Sequence, residues 1–313
     1  MLNVSRFDVD SSKSTDDATN ITFDTIANLD EAAPENTDVS HTNLSSQLSI
    51  AWSDNGPVHH FWPEDIHCSK FSTRFAVKNS LPTRALASYP GSGNTWTRYL
   101  VEAASGVFTG SVFIDESILK AGHYGEGHFK DGSTILQKTH NMFKKNISDF
   151  QGRGVVLVRN PYKAIMASWN IRSTLSHTET INSETLTSKQ FRAYVGLGGS
   201  RWLKIITDWV GLGNKVYFMF YEDLVDDLTE EIRNLLNFLK LSVDEERLKC
   251  IERHSEGIFH RTKHLTDDPF SANDHDAINI NIEIANRILK EKTGRELPLK
   301  KYELYTLYED AQE

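Results

Sequence analysis

From residue 84 onward, short apolar runs alternate with stretches whose apolar positions recur every three or four residues. "RALASY" (84–89) reads as a buried strand. "TWTRYLVEAAS" then puts Trp96, Leu100, Val101 and Ala104 on one helical face, with Gly106 as its stop. "STILQK" (133–138) and "GVVLV" (154–158) predict a second and a third strand. The latter is an unbroken β-branched run, as in strands covered on both faces. "RNPYKAIMASWN" turns at once into a helix, with Pro161 suited to its first turn. A long helical region follows at about 187–210, with "GLGGS" (196–200) expected as a hinge between helices. "KVYFMFYEDL" (215–224) predicts a fourth strand. In "DDLTEEIRNLLNFLKL", Leu228, Ile232, Leu235, Leu236 and Leu239 form an amphipathic helix, with Asp226 and Asp227 near its N-terminus. "SVDEERLKCIERH" and about 273–291 give two more helices. Strands alternating with helices predict one α/β domain around a parallel sheet, and no internal repeat is visible.

Residues 1–56 show no sustained apolar period and are rich in Ser, Thr, Asp and Asn, the composition of a disordered acidic stem. The domain is expected over 57–313. Charge supports that division. Residues 1–60 hold ten acidic and two basic side chains, so the remainder of this −9 chain is nearly neutral. A near-neutral domain offers no extended basic stripe for nucleic acid, yet it can concentrate positive charge in one cleft. Sequons occur at Asn3, Asn20, Asn43 and Asn146. The two cysteines, Cys68 and Cys250, are too few for a disulfide scaffold or a thiolate zinc site. Two buried thiols are the simpler reading and a single bridge is the alternative. His59, His60, His67 and Cys68 match no standard metal spacing, and the acids of "YEDL" are explained by helix capping and hydrogen bonding at a sheet edge, so no metal is expected.

The chemistry gathers at three predicted strand ends. After the first strand, "SYPGSGNTW" offers backbone N–H groups and a helix N-terminus to an anion, with Gly91 and Gly93 permitting a tight turn and Ser92, Asn94 and Thr95 adding side chains. The loop lacks the Gly-Lys-Ser/Thr of nucleotide kinases, which disfavours a kinase. "LQKTH" delivers Lys138 and His140 at the end of the second strand, able to supply the missing charge and a base. "LVRNP" delivers Arg159 at the end of the third, suited to bidentate phosphate binding.

Together these segments resemble the sulfotransferases that use 3′-phosphoadenosine 5′-phosphosulfate (PAPS). "SYPGSGNTW" is similar to their 5′-phosphosulfate loop, "KTH" to their catalytic segment, "VVLVRNPYKAIMAS" to their 3′-phosphate segment and "FYEDL" to their late strand. Across roughly 80–290, "GVFTGS", "GEG", "EERLKC", "EGIFHR" and "DPF" resemble the sulfotransferase domain of the WSC-domain-containing group, without the WSC modules. The resemblance implies a three-layer P-loop nucleotide-kinase-like α/β fold with a central parallel sheet. It implies His140 as general base and Lys138 opposite the leaving oxygen, with PAPS as co-substrate and no metal. Donor binding falls to Ser92, Gly93, Asn94, Thr95, Trp96 and Arg159, with Ser168, Arg261 and Lys263 as further contacts. Two departures stand out: Gly91 occupies the place of a frequent family lysine, and Ala167 that of a serine, with Ser168 one position on. "KAGHYGEGH" (120–128) is open between the acceptor side and an exposed loop. The implied acceptor is a hydroxyl, on carbohydrate by the group's example, and a catalytically silent binder is the rival from another class. The implied location is the Golgi lumen, with a membrane anchor lying outside this chain. A soluble cytoplasmic form is the alternative.

Overall fold

The computed structural model describes residues 47–141, 144–174, 183–257 and 268–306. Five strands form one sheet in the order β2-β3-β1-β4-β5, all neighbours parallel. They are β1 (Ala85–Ser88), β2 (Gly110–Ser111), β3 (Gln137–Thr139), β4 (Arg153–Val158) and β5 (Lys215–Phe220). Between and after them run α1 (Asn94–Ser105), α2 (Glu116–Lys120), α3 (Lys144–Asp149), α4 (Pro161–Thr174), α5 (Lys189–Leu212), α6 (Tyr221–Asp226), α7 (Leu228–Leu239), α8 (Glu245–Arg253) and α9 (Ala272–Thr293). This is the expected three-layer P-loop-like α/β architecture.

Strand alternation decides the layers. Ala85, Ala87, Val156, Val158, Phe218 and Phe220 enter one core with α4, α5 and α9. Leu86, Val155, Leu157 and Met219 enter the other with α1, α7 and α8. Burying Ile232, Leu235, Leu236 and Leu239 of α7 contributes roughly 1.5–3 kcal/mol each. Asp227 caps that helix by accepting from Glu230 N at 3.2 Å, and Ser271 forms a capping box with Asp274 at the start of α9.

Four expectations need correction. Residues 48–56, assigned to the stem, join the domain: Leu48 N donates to Lys240 O at 2.7 Å and Ser53 N to Phe75 O at 3.0 Å, while Leu48 and Ile50 pack on the core. Residues 1–46 of the expected stem lie outside the described residues. Second, "GLGGS" is no hinge, because α5 runs through it unbroken. A Cβ at Gly198 would meet Ile165 at 2.9 Å and one at Gly199 would meet Asn281 at 2.8 Å, so these glycines let α4 and α9 approach α5 closely. Third, Cys68 and Cys250 form a disulfide rather than two free thiols, fastening the N-terminal segment to α8. Beside it Asp65 accepts from Arg253 at 2.9 Å and from His254 at 2.9 Å. Fourth, 120–128 does not line the cleft, and it is an exposed loop only in part, at Lys120, Tyr124 and Gly127. Its His123 and Glu126 are buried against α1. Among the described residues, no helix is long and apolar enough to cross a membrane.

Candidate active site

The parallel register carries the functional side chains to one edge. Ala87 pairs with Thr139, which sets Ser88 beside His140, and Leu86 pairs with Lys138. Val158 pairs with Phe220, so Arg159 and Tyr221 leave the sheet as neighbours. β1 lies between β3 and β4, where successive connections depart to opposite sides, the place where ligands bind in open α/β sheets. A cleft of about 1310 Å³ opens there, lined among others by Gly91, Gly93, Asn94, Thr95, Trp96, Lys138, His140, Arg159 and Ser168.

The loop between β1 and α1 holds its shape through two left-handed glycines, Gly91 at φ 83° and Gly93 at φ 91°. A Cβ on Gly93 would lie 2.6 Å from the Tyr221 ring. One on Gly91 would lie 2.6 Å from Ser168 N and closer still to the Ala164 carbonyl. That packing explains the missing lysine: with α4 this near, no side chain fits at position 91. Gly93 ends the loop without any side-chain cap on α1, so the first-turn N–H groups of that helix are open to an anion.

Asn94 does not present its amide hydrogens to the cleft. Its Nδ2 donates to Leu86 O at 3.0 Å and Ser88 Oγ at 3.1 Å, tying α1 to β1. The Ser92 side chain is buried beneath the loop, outside the cleft lining. Buried Ser92 Oγ, Asn94 Oδ1 and Arg159 Nε lack a hydrogen-bond partner. Such orphans are costly in a finished core. Of the three, Arg159 Nε is a donor on a side chain that lines the cleft and suits an anionic ligand, whereas Asn94 Oδ1 can only accept.

Arg159 Nη1 donates to Gly91 O at 2.9 Å and its guanidinium lies 4.2 Å from the Tyr221 ring centroid, so it braces the loop while lining the cleft. Trp96 meets Tyr221 edge-on at 5.5 Å, and its Nε1 donates to Ser255 O at 2.7 Å. Two aromatic side chains thus wall the cleft beside the loop. Ser168 lines the cleft and bonds to the Tyr194 hydroxyl. Ala167 and Arg201 line it as well. Arg261 and Lys263 lie outside the described residues.

His140 Nδ1 lies 2.9 Å from the Ser88 carbonyl. A carbonyl only accepts, so Nδ1 carries the proton and Nε2 the lone pair. Phe113 stacks on the imidazole at 5.8 Å and 24°. Lys138 is buried, and burial pushes its ammonium down to about 8, with Arg98 acting in the same direction and Glu126 and Asp115 opposing. The acids of "YEDL" cap no helix, contrary to expectation, since α6 has no side-chain cap and α7 is capped by Asp227, but they do find partners beside the sheet. Glu222 accepts from Asn160 N at 2.9 Å, and Asp223 binds Lys301 at 2.8 Å.

The sequence did not single out Ser88, Phe113, Tyr194, Arg201 or Tyr221. Ser88 stood inside the recognised loop stretch. Tyr221 stood inside "FYEDL", Phe113 lies between β2 and α2, and Tyr194 and Arg201 sit on α5, where spacing says nothing of a cleft.

A family model described as a sulfotransferase domain matches residues 82–267. A WSCD family member of Drosophila melanogaster is 32% identical over 266 residues, 81% of this chain and 82% of its own length. Another, of Aedes aegypti, is 33% identical over 206 residues, 64% of each chain. Among solved structures, mouse sulfotransferase SULT7A1 complexed with PAP aligns at 14% identity and a TM-score of 0.44, over 66% of this chain and 85% of that one. A sulfotransferase from Alicyclobacillus acidocaldarius aligns at 12% identity and a TM-score of 0.38, over 69% and 97%.

Proposed function

The chain belongs to the sulfotransferase family, and on that premise we propose that it moves a sulfuryl group from PAPS to a carbohydrate hydroxyl. One observation carries the reading: the register of β1 and β3 sets Lys138 and His140 beside a loop that leads into a helix N-terminus with no side-chain cap.

In this reading the open N–H groups of α1 hold the donor's 5′-phosphosulfate, Arg159 takes its 3′-phosphate, and Trp96 with Tyr221 flanks the nucleoside. His140 Nε2 removes the acceptor's proton as the acceptor oxygen bonds to sulfur, and the bond from sulfur to the bridging phosphate oxygen breaks. The Ser88 carbonyl keeps the imidazole in the tautomer this requires and favours the imidazolium that forms. Lys138 neutralises the charge arriving on the bridging oxygen. Nearly buried, it faces that charge with little competition from water. Charge missing from position 91 is thereby supplied from the neighbouring strand.

A cleft of about 1310 Å³ exceeds what a single small ligand usually occupies, leaving room for a nucleotide and a sugar together. The Cys68–Cys250 bridge supports a luminal, oxidising location such as the Golgi, since cytosolic thiols are kept reduced. Titration calorimetry tests the donor assignment. Adenosine 3′,5′-bisphosphate should bind far more tightly than ATP with magnesium, and equal affinity would overturn it.

A further inference from the structure

Trp96 is held from outside the sheet by a cluster that the reaction as derived leaves unused. Its indole Nε1 donates to the Ser255 carbonyl at 2.7 Å, and one turn along α1 the Tyr99 hydroxyl donates to the His254 carbonyl at 2.6 Å. Residues three apart on a helix share a face, so α1 grips two consecutive carbonyls just past the end of α8. Gly257 then passes the Tyr99 ring at φ 63°, where a Cβ would meet that ring at 2.9 Å. Ser255 lines the cleft together with Trp96.

Those carbonyls are placed by a second set of contacts. The His254 imidazole stacks on Trp62 at 5.4 Å and 17°, and its Nε2 lies 2.9 Å from Asp65 Oδ2. Trp62 Nε1 donates to the Tyr99 hydroxyl at 3.0 Å, which closes the circuit back to α1. Four residues ahead of His254, Cys250 carries the disulfide to Cys68, whose N donates to Asp65 O at 2.9 Å. The short turn 65–68 thus holds the end of α8 covalently at Cys250 and through its carboxylate at Arg253 and His254. Leu248 and Ile251 already seat α8 itself on the core. Beyond the helix, His254, Ser255, Glu256 and Gly257 include no apolar side chain to anchor them, so their place depends on these polar and covalent ties.

We propose that Asp65 and the Cys68–Cys250 bridge are positioning groups for Trp96: acting through His254, they fix the Ser255 carbonyl, and that carbonyl fixes the indole at the cleft wall. An indole has two faces but a single N–H, so this bond, with the edge contact to Tyr221, selects one orientation of the ring. Affinity for the donor then depends on a clasp on the far side of α1 that touches no part of the nucleotide. The inference rests on the sulfotransferase reading only for the ligand that Trp96 meets.

The test is a pair of measurements on the full chain. Calorimetry gives the affinity for adenosine 3′,5′-bisphosphate of wild type, of Asp65→Ala and of the double variant Cys68→Ser with Cys250→Ser. Each is repeated with Trp96→Phe, which leaves no indole N–H to hold. With Trp96 present, both changes should weaken binding by about fivefold or more, the scale of a lost contact between a base and an aromatic ring. With Trp96→Phe they should change it by less than about twofold, because the residue they act through is gone. Labelling with 5-fluorotryptophan reads the ring itself. The fluorine line of Trp96, assigned by its absence in Trp96→Phe, should shift or broaden in both variants. Equal losses of affinity in the two backgrounds would mark a merely structural role and overturn the proposal, as would an unmoved Trp96 line in folded variants. If the double variant does not fold, Asp65→Ala decides. If wild type binds no nucleotide, the sulfotransferase reading falls, and the fluorine line still decides whether the clasp positions Trp96.

Discussion

Replacing Gly91 by alanine is the sharpest probe of why the anion loop has no lysine. The position sits at φ 83°, where an L-residue costs about 1–2 kcal/mol. Its new Cβ would stand 2.6 Å from Ser168 N and closer to Ala164 O, both backbone atoms of α4 that no rotamer change can clear. Overpacking of this kind adds about 1–3 kcal/mol. The total, about 2–5 kcal/mol, should lower the melting temperature by roughly 5–15 °C in a domain of this size. Gly196→Ala is the matched control. It lies mid-helix in α5 with nothing within 4 Å of its Cβ, so it should be neutral or stabilise by up to about 1 kcal/mol. Calorimetric melting of both variants decides the matter. If Gly91→Ala melts with wild type, the packing of the loop on α4 is not what excludes a side chain. Gly91→Lys should behave no better than alanine.

His140→Ala should reduce transfer by ~10²–10⁴ with donor binding retained, seen as a fall in kcat beside an unchanged calorimetric titration. Arg159→Ala should weaken adenosine 3′,5′-bisphosphate by about 1.5–3 kcal/mol. Adenosine 5′-phosphate should lose less, though not nothing, because Arg159 also holds Gly91 O; calorimetry with both nucleotides checks this. Lys138 is depressed in the fold, so the unfolded chain binds more protons between about pH 8 and its ordinary value, and stability rises with pH across that window. Lys138→Met should therefore raise the melting temperature at neutral pH while abolishing transfer, and kcat/KM of the wild type should fall above about pH 8. The disulfide closes a separation of 182 residues, for which chain entropy alone gives an upper figure of about 5 kcal/mol. Urea unfolding of Cys250→Ser against wild type measures how much of that is realised.

What was legible in the sequence follows from range. β4 and β5 are long apolar runs, and the spacing of Ile232, Leu235, Leu236 and Leu239 declares α7 without any partner in view. β2 was missed because two residues, Gly110 and Ser111, carry no period; it exists through pairing with β3. The helix through "GLGGS" was misjudged for a related reason. Glycine is costly in an isolated helix, and only the proximity of α4 and α9 supplies the compensation. Cys68 and Cys250 give no local sign of lying 5.8 Å apart at Cα. At the site, Lys138, His140 and Arg159 were readable because each stands at the end of an apolar run that predicts a strand. The Ser88 carbonyl that sets the His140 tautomer is a backbone atom, and the Asp65–His254 contact joins residues that only the fold brings together.

The central claim is that Lys138 and His140 work together beside the anion loop to transfer sulfate. It is tested most directly by following labelled sulfate from PAPS onto a panel of glycans, with wild type and His140→Ala in parallel. Wild type should label at least one glycan and His140→Ala should label none within the same time. Equal labelling by the two proteins, or none by a wild type that binds the nucleotide, would contradict the account.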